Sequence, residues 1–142
     1  MIEHVMHDQM LLATIVRHTF SKPGISFLTP DNFSQQLGYM QHAAGHEIKP
    51  HIHNEVRREV VHTKEVLFIR KGILRADFYA EDGRYAESRL LQAGDVVLLA
   101  RGGHGFKIIE DVEMFEVKQG PYAGGNDKTI IAKVDEQKLR MT

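Results

Sequence analysis

Residues 65–83 read EVLFIRKGILRADFYAEDG, two apolar runs separated by a glycine and followed by an Asp-Gly pair. The first run, Glu65–Lys71, is dense in Val, Leu, Ile and Phe and is typical of a buried strand. Gly72 then breaks the run, and Ile73–Ala80 has the composition expected of its antiparallel partner. Asp82-Gly83 indicates a tight turn back into the next strand. The segment predicts consecutive antiparallel strands, not alternating strands and helices.

The rest of the chain has the same texture of short apolar runs between turn residues. We predict roughly ten strands in all. Besides the two above they include Gln9–His18, Ile25–Leu28, Ser34–Ala43, Pro50–His53, Arg84–Leu91 and Val96–Ala100, with Phe106–Ile109 and Met114–Val117 forming a last hairpin. Only Asp127–Leu139 has a weak helical period. The pattern predicts an all-β sandwich or barrel.

The composition excludes several classes of protein. The chain has 142 residues, of which 42% are hydrophobic, and a formal net charge of -1 with histidine neutral. Such a balance gives no long-range attraction to nucleic acid or to an anionic membrane. The absence of cysteine excludes disulfides, thiolate metal sites and cysteine nucleophiles. The short apolar run Met10–Val16 fits neither a signal peptide nor a membrane span, and we expect a cytoplasmic protein.

Two histidines two residues apart are the first sign of chemistry. We predict that His51 and His53 lie on one strand, where alternate side chains leave the same face. Glu65 opens the next strong strand, and His104 lies in a glycine-rich bend whose small neighbours leave room for a ring. Three imidazoles and one carboxylate suit a divalent ion of Mn, Fe, Co, Ni or Zn.

The glycines between these residues complete a pattern. Gly45 precedes His51 by six residues, and Glu65 precedes Gly72 by seven. A second segment, Gly94–His104, begins with a glycine before a buried strand and ends in a Gly-Gly-His bend. In this order the chain resembles the two sequence motifs of the cupin family.

The resemblance implies a cupin-type double-stranded β-helix, or jelly-roll barrel, with a short C-terminal extension. It implies a single domain over residues 1–142, with the motifs in a core of about 34–120. Four side chains become the ligands of one divalent transition metal ion inside the barrel, namely His51, His53, Glu65 and His104.

Two departures from the family pattern leave alternatives open. Eleven residues separate His53 from Glu65, where the family's motif has only a few. The intervening arm, residues 54–64, is either a loop over the metal or the source of the true carboxylate ligand, Glu55 or Glu59. The spacing from Glu65 to the next glycine favours Glu65. In the second motif an alanine replaces the proline, and the turn before the histidine is one residue shorter.

The resemblance also implies a function. We expect a metal-dependent enzyme that acts on a small polar metabolite, with the metal as Lewis acid. The reaction is either isomerisation or epimerisation of a sugar-like compound, or Fe-dependent dioxygenation. The alternative is a non-catalytic cupin that binds or senses a small molecule such as a sugar. Because small cupins commonly pair through sheet edges, we expect a homodimer in which Gln9–His18 contacts the second copy.

Overall fold

The computed structural model describes residues 1–142 and contains antiparallel strands but no α-helix, so the predicted all-β class is confirmed. The strands are β1 (Ile2–His7), β2 (Met10–Val16), β3 (Gly24–Phe27), β4 (Gly38–Gln41), β5 (Glu65–Lys71), β6 (Ile73–Tyr79), β7 (Tyr85–Gln92), β8 (Val96–Leu99), β9 (Gly103–Ile108) and β10 (Glu113–Lys118). Two short 3-10 helices follow, Gly124–Asp127 and Glu136–Lys138. Neither has the length or apolarity that a membrane crossing requires.

The chain divides into two compact units. The first unit consists of Met1–Phe20 and Thr63–Thr142, and the second unit of Ser21–His62. The first unit contains a five-stranded sheet in the order β1-β2-β8-β5-β10 and a three-stranded sheet in the order β7-β6-β9. The second unit contains the β3–β4 hairpin.

The two sheets of the first unit share one hydrophobic core. Its fully buried side chains come from both sheets and include Ile15, Leu67 and Ile69 from one and Leu74 and Phe78 from the other. Burial of each such side chain contributes about 1.5–3 kcal/mol, so this core dominates the stability of the unit. In a strand with one buried face, successive side chains alternate between the core and the solvent. This alternation determines which residues point between the two sheets.

The glycine after β5 is a corner between the sheets. β5 pairs with β8 and β10, whereas β6 pairs with β7 and β9 in the other sheet. Both predicted strands exist, but the prediction that Ile73–Ala80 is the partner of Glu65–Lys71 is wrong. Gly72 has a φ of +81°, and a Cβ there would lie 2.0 Å from the carbonyl oxygen of Asp111. Only glycine fits where the chain crosses so close to a second segment.

That second segment is another crossing between the sheets. β9 pairs with β6 and β10 pairs with β5, so the predicted hairpin of Phe106–Ile109 with Met114–Val117 is wrong. The amides of Ile109 and Glu110 both donate to the carbonyl oxygen of Ile73 at 3.0 Å. By contrast, the predicted turn at Asp82-Gly83 is confirmed, because β6 and β7 pair across it.

The predicted N-terminal strand Gln9–His18 is present as β2, but β1 was missed. β1 and β2 form a hairpin whose turn residues, Asp8 and Gln9, have φ values of +46° and +65°. The pair Asp-Gln is an uncommon choice for such a turn, so the hairpin of β1 and β2 has no clear turn signal in the sequence. β2 lies between β1 and β8 and offers no free edge to a second copy.

The predicted helix Asp127–Leu139 is wrong, because this segment is mostly extended along the outer face of the three-stranded sheet. The amide of Val134 donates to the Tyr79 hydroxyl at 3.0 Å, and the amide of Arg140 donates to the Tyr85 hydroxyl at 2.9 Å. These tertiary hydrogen bonds satisfy backbone groups that a helix would have paired internally.

A polar network lies beneath this C-terminal segment. Arg75 donates to both carboxylate oxygens of Asp77, at 2.7 and 3.0 Å, and to both of Glu136, at 2.8 and 3.1 Å. The Ser88 hydroxyl, fully buried, donates to Asp77. Hydrogen bonds from Arg75 and then from Lys107 lower the pKa of Glu136 to about 2. The network therefore joins the C-terminal segment to the sheet through ionised partners.

The hairpin of the second unit contains shortened forms of two predicted strands. β3 occupies part of Ile25–Leu28, and β4 occupies part of Ser34–Ala43. In the loop between them the Thr29 hydroxyl donates to the Gln36 side-chain oxygen at 2.7 Å. The ring of Phe27 lies against Gly38 on the opposite strand, where a Cβ would lie 3.1 Å from the ring and require it to shift slightly.

The remainder of the second unit, residues 42–62, contains no strand. The predicted strand Pro50–His53 is therefore wrong. Pro50 has no amide to donate to a ladder, and all of these residues are exposed, so no buried face favours extended pairing.

A buried carboxylate fixes the turn between β7 and β8. Asp95 is fully buried and accepts hydrogen bonds from the amide of His18 at 2.8 Å, the amide of Gln92 at 3.1 Å and the guanidinium of Arg17 at 2.9 Å. Burial raises the pKa of Asp95, but these hydrogen bonds outweigh it and hold the pKa below its usual value. The preceding Gly94 has a φ of +89°, and a Cβ there would lie 2.7 Å from that of His18.

We expect Asp95→Asn to lower the free energy of unfolding by about 3 kcal/mol at pH 7, because Arg17 loses a buried anionic partner. Since the folded pKa of Asp95 is depressed, its contribution is present above the unfolded value of 3.8 and is lost as the pH falls through the folded value. The difference in the free energy of unfolding between the wild type and Asp95→Asn, measured with urea, should therefore be smaller at pH 3 than at pH 7. The exposed Asp31→Asn is the control, and a pH-independent difference for Asp95→Asn would contradict the assignment.

We expect Gly72→Ala to destabilise the protein more than Gly124→Ala. Both glycines have positive φ, so both alanines introduce about 1–2 kcal/mol of backbone strain. Only the Cβ at position 72 meets backbone atoms, whereas nothing lies within 4 Å of the Cβ position at Gly124. The additional loss for Gly72→Ala should be about 2 kcal/mol in urea unfolding. Equal losses of unfolding free energy in the two variants would show that the chain at Gly72 is not tightly packed against the chain at Asp111.

Candidate functional site

Glu65 begins β5 and points between the two sheets. It lies on the same face of the strand as Leu67 and Ile69, which are fully buried core residues. Its partners in the neighbouring strands are Leu99 in β8 and Lys118 in β10. Glu65 is only 7% exposed. An ionisable side chain buried to this degree needs a charged or hydrogen-bonding partner.

His104 supplies that partner from the opposite sheet. It lies in β9 directly opposite Phe78, a core residue of β6, and therefore also points inward. Its Nε2 is 3.2 Å from a carboxylate oxygen of Glu65. The ring of Phe106, two residues along the same face, lies 5.5 Å from the His104 ring between centroids. Each sheet thus contributes one nitrogen or oxygen donor to the pair.

The surrounding charges favour the ionised carboxylate. The hydrogen bond with His104 is the largest influence on Glu65 and lowers its pKa, while burial opposes it. Lys118 and Lys128 lower the pKa of Glu65 further through their charges, and the Lys118 ammonium is 3.9 Å from the second carboxylate oxygen. The net pKa lies below the usual value. Glu65 is therefore an anion with a positively charged neighbour on one side and an imidazole on the other.

The β9 and β10 edges of the two sheets have exposed side chains at inward-facing positions. Glu116 and Met114 lie opposite the core residues Leu67 and Ile69 and so face the other sheet, yet both are exposed. Ile108, opposite Leu74 in the three-stranded sheet, is exposed as well. The two sheets are therefore not closed by side chains along their β9 and β10 edges.

A separate cleft of about 460 Å³ lies where β9 ends and β10 begins. It is lined by Arg70, Ile108, Val112, Glu113, Met114 and Phe115. Glu65 and His104 are absent from this lining, since Glu65 pairs with the last residue of β10. The cleft is therefore distinct from the Glu65–His104 pair.

The other two predicted ligands are neighbours in the second unit, although no strand places them there. The rings of His51 and His53 are 5.2 Å apart between centroids and nearly perpendicular. Nδ1 of His51 lies 2.8 Å from the carbonyl oxygen of Lys49. Because a carbonyl only accepts, Nδ1 carries the hydrogen, and Nε2 keeps the lone pair that a metal ion binds.

The structure also pairs two histidines that the sequence interpretation did not single out. The rings of His42 and His46 are stacked, with centroids 4.0 Å apart, across a turn closed by the His46 amide and the Ala43 carbonyl. Parallel stacked rings do not converge on a common ion, so this pair differs from His51 and His53. The alternative carboxylates Glu55 and Glu59 are exposed and lie in the same irregular segment.

The four predicted metal ligands divide two and two between the units. His51 and His53 belong to the second unit, and Glu65 and His104 to the first. Within neither unit do three or more His, Cys, Asp or Glu side chains form a group that could hold a metal ion. Each pair nevertheless has the donor chemistry that a first-row divalent ion requires, namely an imidazole with an available nitrogen or an ionised carboxylate. The single four-ligand site stays a prediction.

We expect His104→Phe to raise the pKa of Glu65, because the carboxylate loses its strongest hydrogen bond while remaining buried. Lys118→Gln should raise it less, since that charge acts from a longer distance. Carbon NMR of the Glu65 carboxyl during a pH titration measures both shifts. A Glu65 pKa that is unchanged in His104→Phe would contradict the observed pairing.

Comparison of the chain with models of known protein families, with curated proteins and with solved structures found no match. The likeness to cupins therefore stays a resemblance of motif order and spacing.

Proposed function

We propose that this protein is a metal-dependent cupin enzyme that acts on a small polar metabolite. The observation on which the proposal depends is the contact between Glu65 and His104, an ionised carboxylate and an imidazole that meet between two sheets. Both are motif residues in the cupin resemblance, and they are far apart in sequence. An ionisable pair whose two members come from opposite sheets, one of them buried, is a good candidate for a functional site, because groups with shifted pKa values cluster at such sites.

The proposed fold is the jelly-roll barrel of cupins. It is supported by two antiparallel sheets with a common core and by glycine corners at Gly72 and Gly94, both positions of the resemblance. At each corner a Cβ would lie within 3 Å of neighbouring atoms. These glycines thus have a physical reason to occur at the motif spacing.

The ligands that the cupin resemblance implies are His51, His53, Glu65 and His104, which would hold one ion of Mn, Fe, Ni, Co or Zn. When bound, the ion would supply Lewis-acid chemistry at a carbonyl, carboxylate or hydroxyl pair of the substrate. Glu65 provides the negative charge, and the Lys49 carbonyl orients the His51 ring so that Nε2 is available.

Two other residues have roles in this proposal. Lys118 places an ammonium beside Glu65 and would attract an anionic group of the substrate. Phe106 packs against both the core and the His104 ring and would form an apolar wall.

Elemental analysis of the purified protein, after loading with each divalent ion and removal of excess, tests the site. We expect about one ion per chain in the wild type and at least about a tenfold loss of affinity in His51→Ala and Glu65→Ala, since each removes a direct ligand. His4→Ala, at an exposed histidine of β1, is the matched control and should bind normally. Glu55→Ala and Glu59→Ala test the alternative carboxylates.

Two results would contradict the proposal in different ways. A wild-type protein that binds no divalent ion would overturn the metal-dependent function. Full binding by Glu65→Ala together with loss in Glu55→Ala or Glu59→Ala would move the carboxylate ligand into residues 54–64. Oxygen consumption and product analysis with a panel of small polar metabolites separate a dioxygenase from an isomerase, and a ligand that binds unchanged indicates the non-catalytic binding cupin.

A further inference from the structure

The outer face of the three-stranded sheet is polar at its centre. Leu74 and Phe78 of β6 point into the core, so the alternate residues Arg75 and Asp77 point outward. Both are nevertheless buried, with exposed fractions of 6% and 5%, and Ser88, opposite Asp77 on β7, is fully buried. A sheet face that is permanently covered usually consists of apolar side chains, because burial of charges and hydroxyls is costly. The composition of this face is instead that of a face exposed to solvent.

Two cations lie side by side on this face. Lys107 of β9 is directly opposite Arg75 of β6 in the antiparallel register, and like charges in such positions repel each other. Asp77 neutralises only one of the two, so these three side chains have one positive charge in excess. Beside them, no atom lies within 4 Å of the Cβ position at Gly105, which is opposite Asp77. The two cations therefore favour an anion between them, and there is free space at one side.

The chain itself supplies that anion. The carboxylate of Glu136 accepts two hydrogen bonds from Arg75, at 2.8 and 3.1 Å, and one from Lys107 at 3.1 Å. A bidentate guanidinium contact combined with an ammonium is a common way in which proteins bind a carboxylate or a phosphate. The Glu136 side chain is 50% exposed, so small ions in solution can reach it. Glu136 thus occupies an oxyanion site that is accessible from outside.

The segment that contains Glu136 is attached mainly by polar contacts. We name residues 132–142 the strap, and within it only Val134 is buried. The amides of Val134 and Arg140 donate to tyrosine hydroxyls, and the carbonyl of Arg140 accepts from a β7 amide at 2.8 Å. Release of the strap would therefore expose little apolar surface and would return Arg75 and Asp77 to water. Segments with few buried apolar contacts open locally at a lower free energy than the core.

We propose that the strap is displaceable and that Arg75 and Lys107 form a binding site for a small oxyanion, a carboxylate or a phosphate, which Glu136 otherwise occupies. A free oxyanion that replaces the Glu136 carboxylate would accept hydrogen bonds from the same donors and would release the strap. The site is separate from the proposed metal ligands, because Glu65 and His104 point between the sheets and Arg75 points away from them. It can therefore exist whether or not the protein binds a metal ion.

Hydrogen exchange of backbone amides, measured by NMR on the whole chain, tests whether the strap moves. The amides of Val134 and Arg140 lose their partners when the strap leaves, whereas the amide of Ile69, which donates to the Asp95 carbonyl at 3.0 Å, reports on the core. Relative to their intrinsic rates, we expect the two strap amides to exchange at least about tenfold faster than the Ile69 amide. Equal rates would show that strap and core open only together and would overturn the proposal.

The variant Glu136→Gln tests the occupant of the site. We expect exchange of the strap amides to become about three- to tenfold faster, because a neutral amide pairs less strongly with Arg75 and Lys107, while the core amide keeps its rate. Glu113→Gln is the matched control, since this exposed glutamate lies 3.6 Å from Arg70 in the other sheet and should not affect the strap. Unchanged strap exchange in Glu136→Gln would contradict the assigned occupant and with it the proposal.

Added anions test the site itself. Inorganic phosphate and succinate are each compared with sodium chloride at equal ionic strength, at up to about 100 mM, because a tethered carboxylate acts at an effective concentration of at least millimolar order. We expect strap exchange to rise to a plateau with at least one of the two, and the anion that acts distinguishes a phosphate ligand from a carboxylate ligand. Lys107→Gln, at a half-exposed side chain, should lose this response. The proposal fails if neither anion exceeds sodium chloride, or if Lys107→Gln responds as the wild type does.

Discussion

The close contact of two chain crossings, at Gly72 and at Asp111, is the constraint on which the first unit depends. At each crossing the chain leaves one sheet and enters the other. No Cβ fits between them, and the amides of Ile109 and Glu110 hold the second crossing against the first. This arrangement assigns β5 and β10 to one sheet and β6 and β9 to the other. Glu65 and His104 consequently approach each other from opposite sides of the core.

In the first unit, the strands with many buried apolar residues could be located from the sequence. The strands with which they pair could not be predicted. β5, β6 and β8 are rich in Val, Leu, Ile and Phe, because each has a face or both faces in the core. Pairing depends on contacts between residues far apart in sequence. The local sequence favoured hairpins at Gly72 and at residues 110–113, and the tertiary fold placed corners there. The predicted helix Asp127–Leu139 failed similarly, since hydrogen bonds to Tyr79 and Tyr85 favour an extended chain.

The sequence indicated which residues could form the candidate site, but not how the backbone would arrange them. Glu65 and His104 were selected from the motif spacing, and the structure brings these two together. His51 and His53 are also neighbours, but the strand that was expected to align them is absent, and their closeness comes from an irregular segment instead. The stacked His42 and His46 had no sequence signal beyond their separation of four residues. Irregular backbone leaves no periodicity from which such a contact can be inferred.

The first unit is assembled from two separated stretches of chain, with Ser21–His62 between them. β2 pairs with β8, and the paired residues are separated by about eighty positions in the sequence or more. Folding must therefore bring distant segments together before their contacts stabilise the unit, which is characteristic of slowly folding β proteins. The entropy of closing such a loop grows only with the logarithm of its length, and doubling it adds about 0.6 kcal/mol. The length of the intervening segment can thus change substantially at little thermodynamic cost to the sheets that it connects.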